Sequence, residues 1–365
     1  MSTSADFDQV ATQQRTALTS SRRDDRQLIR CATLAASSHN TQPWRFRVGP
    51  DAITVVADFT RRCALVDPDD AHLFKSLGCA VENLVQAAAA QGLATNVEFD
   101  DDHHAIVVGL SPSPSTTAST SELFEAITVR QCTRQPFDST PIAADELAAL
   151  ELAGGGPGVR AVMITDADRL ESIGDLVADG DLAQLTDHSF RRELLSWIRF
   201  NPGTAVSSGD GLAGRCTRNP SLPTVVGRLL APLVIRARSQ AKTDTTNIRS
   251  SAGVAVFATE TDDKLAWIEA GRAYQRFALQ AAAFDIRTAF INQPIEVRAL
   301  RAKFDAVVGL DGEHAQLALR FGHGELAPYS LRRPIDEVLD TTPDHPIEPT
   351  TTGINPRNAS VRQPQ

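Results

Sequence analysis

The sequence predicts an α+β protein built as two tandem lobes in one chain. Two observations lead there. Short apolar strands at residues 44–48, 52–57, 105–110, 162–165, 253–258 and 315–320 are interleaved with amphipathic helices. The two strongest helical signals, 70–92 and 262–284, also share one ungapped pattern. Leu73-Phe74-x3-Gly78-x5-Leu84 matches Ala266-Trp267-x3-Gly271-x5-Phe277, and both run on into alanines at 87–90 and 281–283. Coincidence between two amphipathic helices is the competing explanation; duplication of one lobe is the other.

Size and charge bound the rest. A chain of 365 residues with 42% apolar content supports a large core or one fused two-lobed unit. A formal net charge of −9 argues against a duplex-binding surface while leaving room for a local basic pocket. No apolar run approaches the length of a spanning helix, and the polar start has no apolar segment of the secretory kind. The five cysteines, Cys31, Cys63, Cys79, Cys132 and Cys216, are scattered and odd in number, which disfavours a zinc site or a disulfide framework. The chain reads as cytoplasmic, with no nucleic-acid or membrane partner.

Along the chain, residues 1–24 are polar and read as loose. A helix over 26–36 ends in a polar loop. Gly49-Pro50-Asp51 turns a hairpin between the first two strands. The helix 70–92 has apolar residues at Leu73, Leu77, Val81, Leu84 and Ala88, spaced three or four apart, and closes at Gly92. A Ser/Pro/Thr-rich linker covers 110–120. Helices then follow at 122–130, 143–152 and 166–177, and 181–200 reads as helix into loop. Residues 202–227, rich in Gly, Ser and Pro, are too long for an ordinary connection and read as a lid or specificity loop. Beyond 339 the composition turns to Pro, Thr, Asn and Gln. The expected division is a first half-lobe at 25–112, a second lobe at 121–340 with an inserted lid segment at 181–227, and a flexible tail at 341–365.

Three segments carry chemistry. The first is the loop Ser37-Ser38-His39-Asn40-Thr41-Gln42-Pro43-Trp44. Its hydroxyls and amides suit the edge of a planar polar ligand, since one amide offers both donor and acceptor. A helix-stop turn with local side-chain to backbone bonds is the plain alternative. Trp44 reads as a core anchor and His39 as a turn residue. The second is Arg130-Gln131-Cys132-Thr133-Arg134, followed by Phe137. Arg130 and Arg134 share a face if the segment is helical, and guanidinium groups there suit a phosphate; a solvated basic helix end is the alternative. The third is Tyr329-Ser330-Leu331-Arg332-Arg333-Pro334-Ile335-Asp336-Glu337-Val338 near the end.

Together these resemble the FMN-dependent nitroreductase family, and most closely its two-lobed, Acg-like actinobacterial group. The loop is similar to that family's Pro-Ser-Ser-x-Asn-x-Gln-Pro-Trp, the arginine cluster to its Arg-Arg-Ser-x-Arg…Phe phosphate motif, and the third segment to the group's closing segment. The resemblance covers about residues 25–340. It implies a nitroreductase-like fold whose two lobes form an internal pseudo-dimer. The loop lies in one half and the phosphate motif in the other, as a fused dimer would place them, and the first half has no phosphate motif of its own. One FMN per chain is implied.

By resemblance, the FMN contacts are Ser37, Ser38, Asn40 and Gln42 from the loop and Arg130, Gln131, Cys132 and Arg134 from the phosphate motif. Arg332 or Arg333 closes from the end of the chain. Cys132 replaces the usual serine. Phe290, Ile291 and Asn292 match the backbone that faces flavin N5, with Asn292 where the family has an acidic residue; a strand-to-loop connection into Pro294 is the alternative there. No catalytic side chain is required, because the flavin carries the hydride, and no metal is expected. The implied function is an FMN-binding NAD(P)H oxidoreductase that passes electrons to a nitroaromatic, quinone or similar small-molecule acceptor, with NAD(P)H bound transiently. The alternative is a lid-covered FMN storage protein with little turnover. A monomer is expected, with further dimerisation left open.

Overall fold

The computed structural model describes residues 3–16, 22–113, 121–217, 220–234 and 236–340. Most of the expected linker, 114–120, and the whole expected tail, 341–365, lie outside the described residues.

The start of the chain departs from the expectation of a loose segment. Helix α1 (Ser4–Gln13) opens with a capping box, in which Thr3 Oγ1 accepts from the Asp6 amide and the Asp6 carboxylate accepts from the Thr3 amide. Phe7 and Ala11, four residues apart, are buried against Ala205, Ala213, Cys216 and Leu331. Of its four apolar residues only Phe7 and Ala11 are buried, and their partner surface comes from more than 190 residues away in sequence.

Helix α2 (Asp25–Thr33) is capped by Asp24 and delivers the chain to the polar loop. Strands β1 (Trp44–Val48) and β2 (Ala52–Ala57) form the expected hairpin. Helix α3 (Ala71–Ala90) then leads to β3 (Leu93–Asp100) and β4 (Ala105–Pro112). The sheet order is β1-β2-β4-β3, antiparallel throughout. Strand β3 is an edge strand in which Leu93, Val97 and Phe99 alternate with the exposed Asn96 and Glu98, a local signal that the expected strands did not include.

The second half carries α4 (Glu122–Ala126), α5 (Ala144–Gly154), β5 (Val159–Ile164) and α6 (Ala167–Thr186). Residues 130–134 are not helical: Cys132 bridges Thr288 in parallel fashion, and the Thr133 amide donates to Thr288 O at 2.8 Å. Helix α7 (His188–Trp197), β6 (Ile198–Arg199), α8 (Pro202–Ser208), β7 (Leu212–Ala213) and α9 (Gly214–Thr217) follow. The segment read as one long connection is thus a string of short elements, pinned by a two-stranded parallel pair of β6 and β7. Helices α10 (Thr224–Val234) and α11 (Ala237–Arg249) lead to β8 (Gly253–Thr259), all of whose residues are buried. The chain continues through α12 (Lys264–Ala283), β9 (Arg287–Phe290), α13 (Gln293–Glu296), α14 (Arg298–Val308), β10 (His314–Gly322) and α15 (Ile335–Val338). This second sheet, β5-β8-β10-β9, is also antiparallel throughout and four-stranded.

Helices α3 and α12, the pair with the shared pattern, pack on each other between the two sheets. Phe74 and Trp267, matched in that pattern, stand 6.3 Å apart by ring centroids. Arg272 and Arg276 both reach the buried Glu82 carboxylate, at 3.2 and 2.9 Å. The Gln275 amide donates to Asn83 Oδ1 at 2.7 Å. One hydrophobic core includes Val55, Ile106 and Leu84 from the first half and Phe257, Phe277 and Leu319 from the second. Two similar units therefore bury their long helices in a single shared interior, the arrangement of an isologous dimer fused into one chain. The last described residues return to the first unit: Leu339 bridges Phe46, and the Asp340 amide donates to Phe46 O at 2.8 Å.

Candidate functional site

Three non-glycine residues within four positions of the polar loop hold a left-handed backbone: His39 at φ 47°, Asn40 at 55° and Gln42 at 53°. Each such position costs about 1–3 kcal/mol, so the surroundings must impose it. They do so from two sides. Asn40 Nδ2 donates to Gly211 O and Leu331 O, both at 3.2 Å, and Asn40 Oδ1 accepts from Arg332 Nη1 at 3.1 Å. Gln42 Nε2 donates to Gly209 O at 2.8 Å, and its Oε1 accepts from the Arg333 amide at 2.9 Å. These two expected ligand contacts therefore spend their side chains on clamping the loop.

Ser37 and Ser38 line a cavity of about 500 Å³. From the second half the same cavity is lined by Arg134, Phe290, Ile291, Asn292 and Arg320, and from the segment after α6 by Phe190, Leu194, Ile198, Leu212 and Thr217. Its volume lies within the roughly 300–1,000 Å³ of small-molecule and cofactor sites. Of the residues read from the sequence, the structure brings Ser37, Ser38, Arg134, Phe290, Ile291 and Asn292 to this one space. Asn292 Oδ1 also accepts from the Ala318 amide at 2.9 Å.

Arg130, Gln131, Cys132, Asn40, Gln42, Arg332 and Arg333 are not on the cavity wall. Gln131 Oε1 accepts from the Ala327 amide at 2.9 Å, and Arg333 Nη2 donates to Glu337 O at 3.0 Å. Arg130 Nη2 donates to Leu34 O at 3.0 Å. Arg332 is spread over the end of α2: Nε donates to Thr33 O at 2.7 Å, and Nη2 to Leu34 O and Ala35 O at 3.1 and 3.2 Å.

Sequence reading missed Arg15, which completes a cluster of guanidinium groups. Its Nη1 donates to Thr128 O and Arg130 O, and its Cζ lies 4.3 Å from the Tyr329 ring centroid. Arg15, Arg130 and Arg332 are all buried and close enough to repel one another. Burial, and then the neighbouring Arg130, push Arg15 down to about 9; burial, and then Arg15 and Arg130, push Arg332 well below its usual value. Arg15 Nε and Arg130 Nε are buried with no partner. These three desolvated cations, held by carbonyl oxygens, the Asn40 amide oxygen and the Tyr329 ring, give this region a positive potential. Arg320, also missed, adds a buried unpartnered Nη1 on the cavity wall itself. Burial lowers it to about 10. A phosphate-bearing ligand fits the Arg134 and Arg320 guanidinium groups on this wall.

The cavity wall also carries Asp181, Asp244 and Glu296. Gln293 Nε2 donates to Asp181 Oδ1 at 3.1 Å and Asp244 Oδ2 at 3.3 Å. Burial, and then the neighbouring Asp244, raise Asp181 to about 8, and burial raises Glu296 to about 7. Lys75, buried on α3 at the cavity wall, is lowered by burial to about 8, and His39 by burial and Arg134 to about 4. Among the described residues, no group of three or more His, Cys, Asp or Glu could hold a metal ion, and no helix is long and apolar enough to cross a membrane.

No protein-family model matches the chain. Among curated relatives, the Mycobacterium tuberculosis H37Rv protein named "Putative NAD(P)H nitroreductase Rv3131" is 29% identical over 324 residues, spanning 86% of this chain and 90% of the relative. The protein named "Putative NAD(P)H nitroreductase acg" from the same strain is 26% identical over 329 residues, 85% of this chain and 93% of its own. The chain is similar to these nitroreductases along most of its length. The resemblance read from three short motifs therefore extends over both lobes. Of solved structures, the FMN and NADPH-dependent nitroreductase NfnB from Sphigopyxis sp. strain HMH aligns over 61% of this chain and 99% of its own, at 18% identity and a TM-score of 0.39. A nitroreductase with bound FMN from Bacteroides fragilis aligns over 56% and 90%, at 14% identity and a TM-score of 0.35. At these scores the likeness is partial.

Proposed function

We propose that this protein is an FMN-dependent NAD(P)H oxidoreductase that reduces a small nitroaromatic, quinone or similar acceptor, with one flavin per chain. The observation that carries this reading is the single cavity walled by Ser37 and Ser38 of the first half and by Arg134, Arg320 and Phe290–Asn292 of the second. The division into a first half-lobe at 25–112 and a second lobe at 121–340 belongs to the same proposal.

In this reading the flavin, when bound, supplies hydride transfer, and the chain's own residues do the rest. Arg134 and Arg320, on the cavity wall, take the phosphate, and the buried Arg15, Arg130 and Arg332 add positive charge behind them. The hydroxyls of Ser37 and Ser38 hydrogen-bond the polar edge of the ligand. Phe290 lays an apolar surface along the cavity, braced by Tyr274 at a ring-centroid distance of 4.6 Å. Residues of 181–227, through Phe190, Leu194 and Leu212, cover the space and exclude water. The storage alternative gains nothing from the relatives, which are named as nitroreductases.

Anaerobic mixing of FMN-loaded protein with NADPH tests the reading. Rapid bleaching of the flavin absorbance, recovered on adding a quinone, is the expected result. A protein that binds FMN but keeps its colour would return the reading to storage, and one that refuses FMN would remove it.

A further inference from the structure

Helix α10 stands apart from the rest of the surface. Val225 and Leu229, one turn apart, are 80% and 75% exposed, and Val226 and Leu230, also one turn apart, are 40% and 38% exposed. They form one apolar arc, flanked by the exposed Arg228. The opposite side is where the helix is attached: a Cβ on Gly227 would meet the Phe200 ring at 2.4 Å, so the glycine lets α10 sit directly on that ring. Its first turn is tied down by Asn201, whose Nδ2 donates to Leu222 O and Thr224 Oγ1. The apolar arc is therefore a projecting ridge on an anchored helix.

The charge around the ridge is also unusual. The chain carries a net charge of −9, yet residues 211–243 contain six basic residues, Arg215, Arg218, Arg228, Arg236, Arg238 and Lys242, and no acidic one. Arg228, Arg236, Arg238 and Lys242 are exposed. Contiguous exposed apolar residues on a soluble surface mark an interaction site. An apolar ridge carrying Arg228 and followed along the chain by the exposed Arg236, Arg238 and Lys242 matches a helix lying in the interface of an anionic lipid layer. A second copy of the chain fits less well, because an isologous contact would set the same cations against each other. A convex ridge also offers a peptide no groove.

We propose that α10 docks this protein on an anionic lipid surface, with Val225, Val226, Leu229 and Leu230 entering the acyl boundary and Arg228, Arg238 and Lys242 meeting the headgroups. Residues before and after α10, Leu212 and Thr217 on one side and Arg236, Ser239, Gln240, Thr243 and Asn247 on the other, line the cavity. Docking would therefore turn the cavity's covering segment toward the lipid. The earlier expectation of no membrane partner rested on the lack of a spanning run, and a helix lying on a surface leaves no such run. The proposal is independent of the flavin reading, since it uses no cavity residue for binding.

The test is co-sedimentation of the full chain with phosphatidylglycerol vesicles and with phosphatidylcholine vesicles at low salt. Pelleting with the anionic vesicles only is expected, weakening as salt is raised. Val225→Glu with Leu229→Glu should reduce bound protein by about tenfold or more, and Arg228→Gln with Arg238→Gln and Lys242→Gln should do so at an unchanged thermal midpoint. Failure to pellet with phosphatidylglycerol overturns the proposal, as does pelleting that survives the glutamate pair. So does a solution dimer, seen by light scattering, that the glutamate pair dissociates without any lipid binding in the parent.

Discussion

Gly78 and Gly271 occupy each other's helix crossing. A Cβ on Gly78 would stand 2.1 Å from Ile268 O, and one on Gly271 would stand 2.0 Å from Lys75 O. In the shared helix pattern Gly78 matches Gly271 and Lys75 matches Ile268, so the two contacts are one contact seen twice. This reciprocity is what a two-fold relation between the halves requires. It leaves no room for a side chain at either site, because the obstacle is backbone.

Gly78→Ala and Gly271→Ala should therefore each force α3 and α12 apart. A loss of about 2–4 kcal/mol is expected from each, read as a lowered urea midpoint. Near-equal losses would reflect the reciprocity. A neutral result at either glycine would mean that the helices do not cross there.

On the proposed reading FMN is a folding ligand as well as a cofactor. At FMN one hundred times its Kd, the folded state should gain about 2.7 kcal/mol, read as a raised thermal midpoint. Arg15→Gln removes one cation that no expected family motif includes. It should weaken FMN binding about tenfold, seen by flavin fluorescence quenching. Unchanged affinity would mean that the buried cluster does not act on the bound phosphate.

Asp210 holds two cations at once. Arg199 reaches its Oδ1 through Nη2 at 2.6 Å, and Arg61 reaches its Oδ2. Both guanidinium groups also lie over the Trp197 ring, at 5.5 and 5.7 Å. Asp210→Ala leaves two partly buried cations without their carboxylate, at a cost of about 3–5 kcal/mol. It should also loosen the covering segment where Gly209 and Gly211 clamp the polar loop. Limited proteolysis should then cut between 198 and 217 sooner than in the parent.

The acidic residues on the cavity wall predict a pH slope. Asp181 is raised from 3.8 to about 8 and Glu296 from 4.5 to about 7. Between those limits the folded state keeps protons that the unfolded chain has released. Stability contributed by these groups is thus full below about pH 4 and declines as pH rises toward 8. Asp181→Asn should flatten that decline, measured as the difference in urea midpoint between pH 5 and pH 8. An unchanged slope would mean that Asp181 is ionised in the folded protein at neutral pH.

Local pattern was enough for the elements that form on their own periodicity. The reading of 70–92 and 262–284 became α3 and α12 with ends shifted by no more than two residues, because Leu, Val and Ala recur there at helical spacing. The Gly49-Pro50-Asp51 turn was legible for the same reason. Helix α1, which buries only Phe7 and Ala11, escaped because its partners are distant; β3 escaped although its partner β4 is the next strand. At the site, the motifs led to Ser37, Ser38 and Arg134. They could not reveal that Asn40, Gln42 and Arg332 would be occupied by neighbouring backbone, since those partners lie 167 to 299 residues away. Arg15 and Arg320 sit in no motif, and only the fold shows that their buried nitrogens lack partners.

The pairing of Leu339 and Asp340 with Phe46 carries a consequence for biosynthesis. The edge of the first sheet is finished by residues made about 290 positions later, and the loop at Asn40 and Gln42 waits for 331–333 in the same way. The amino-terminal unit therefore cannot mature until 331–340 have been made. Its assembly is a late closure on the second half, and a message truncated before codon 331 would yield a half that never sets.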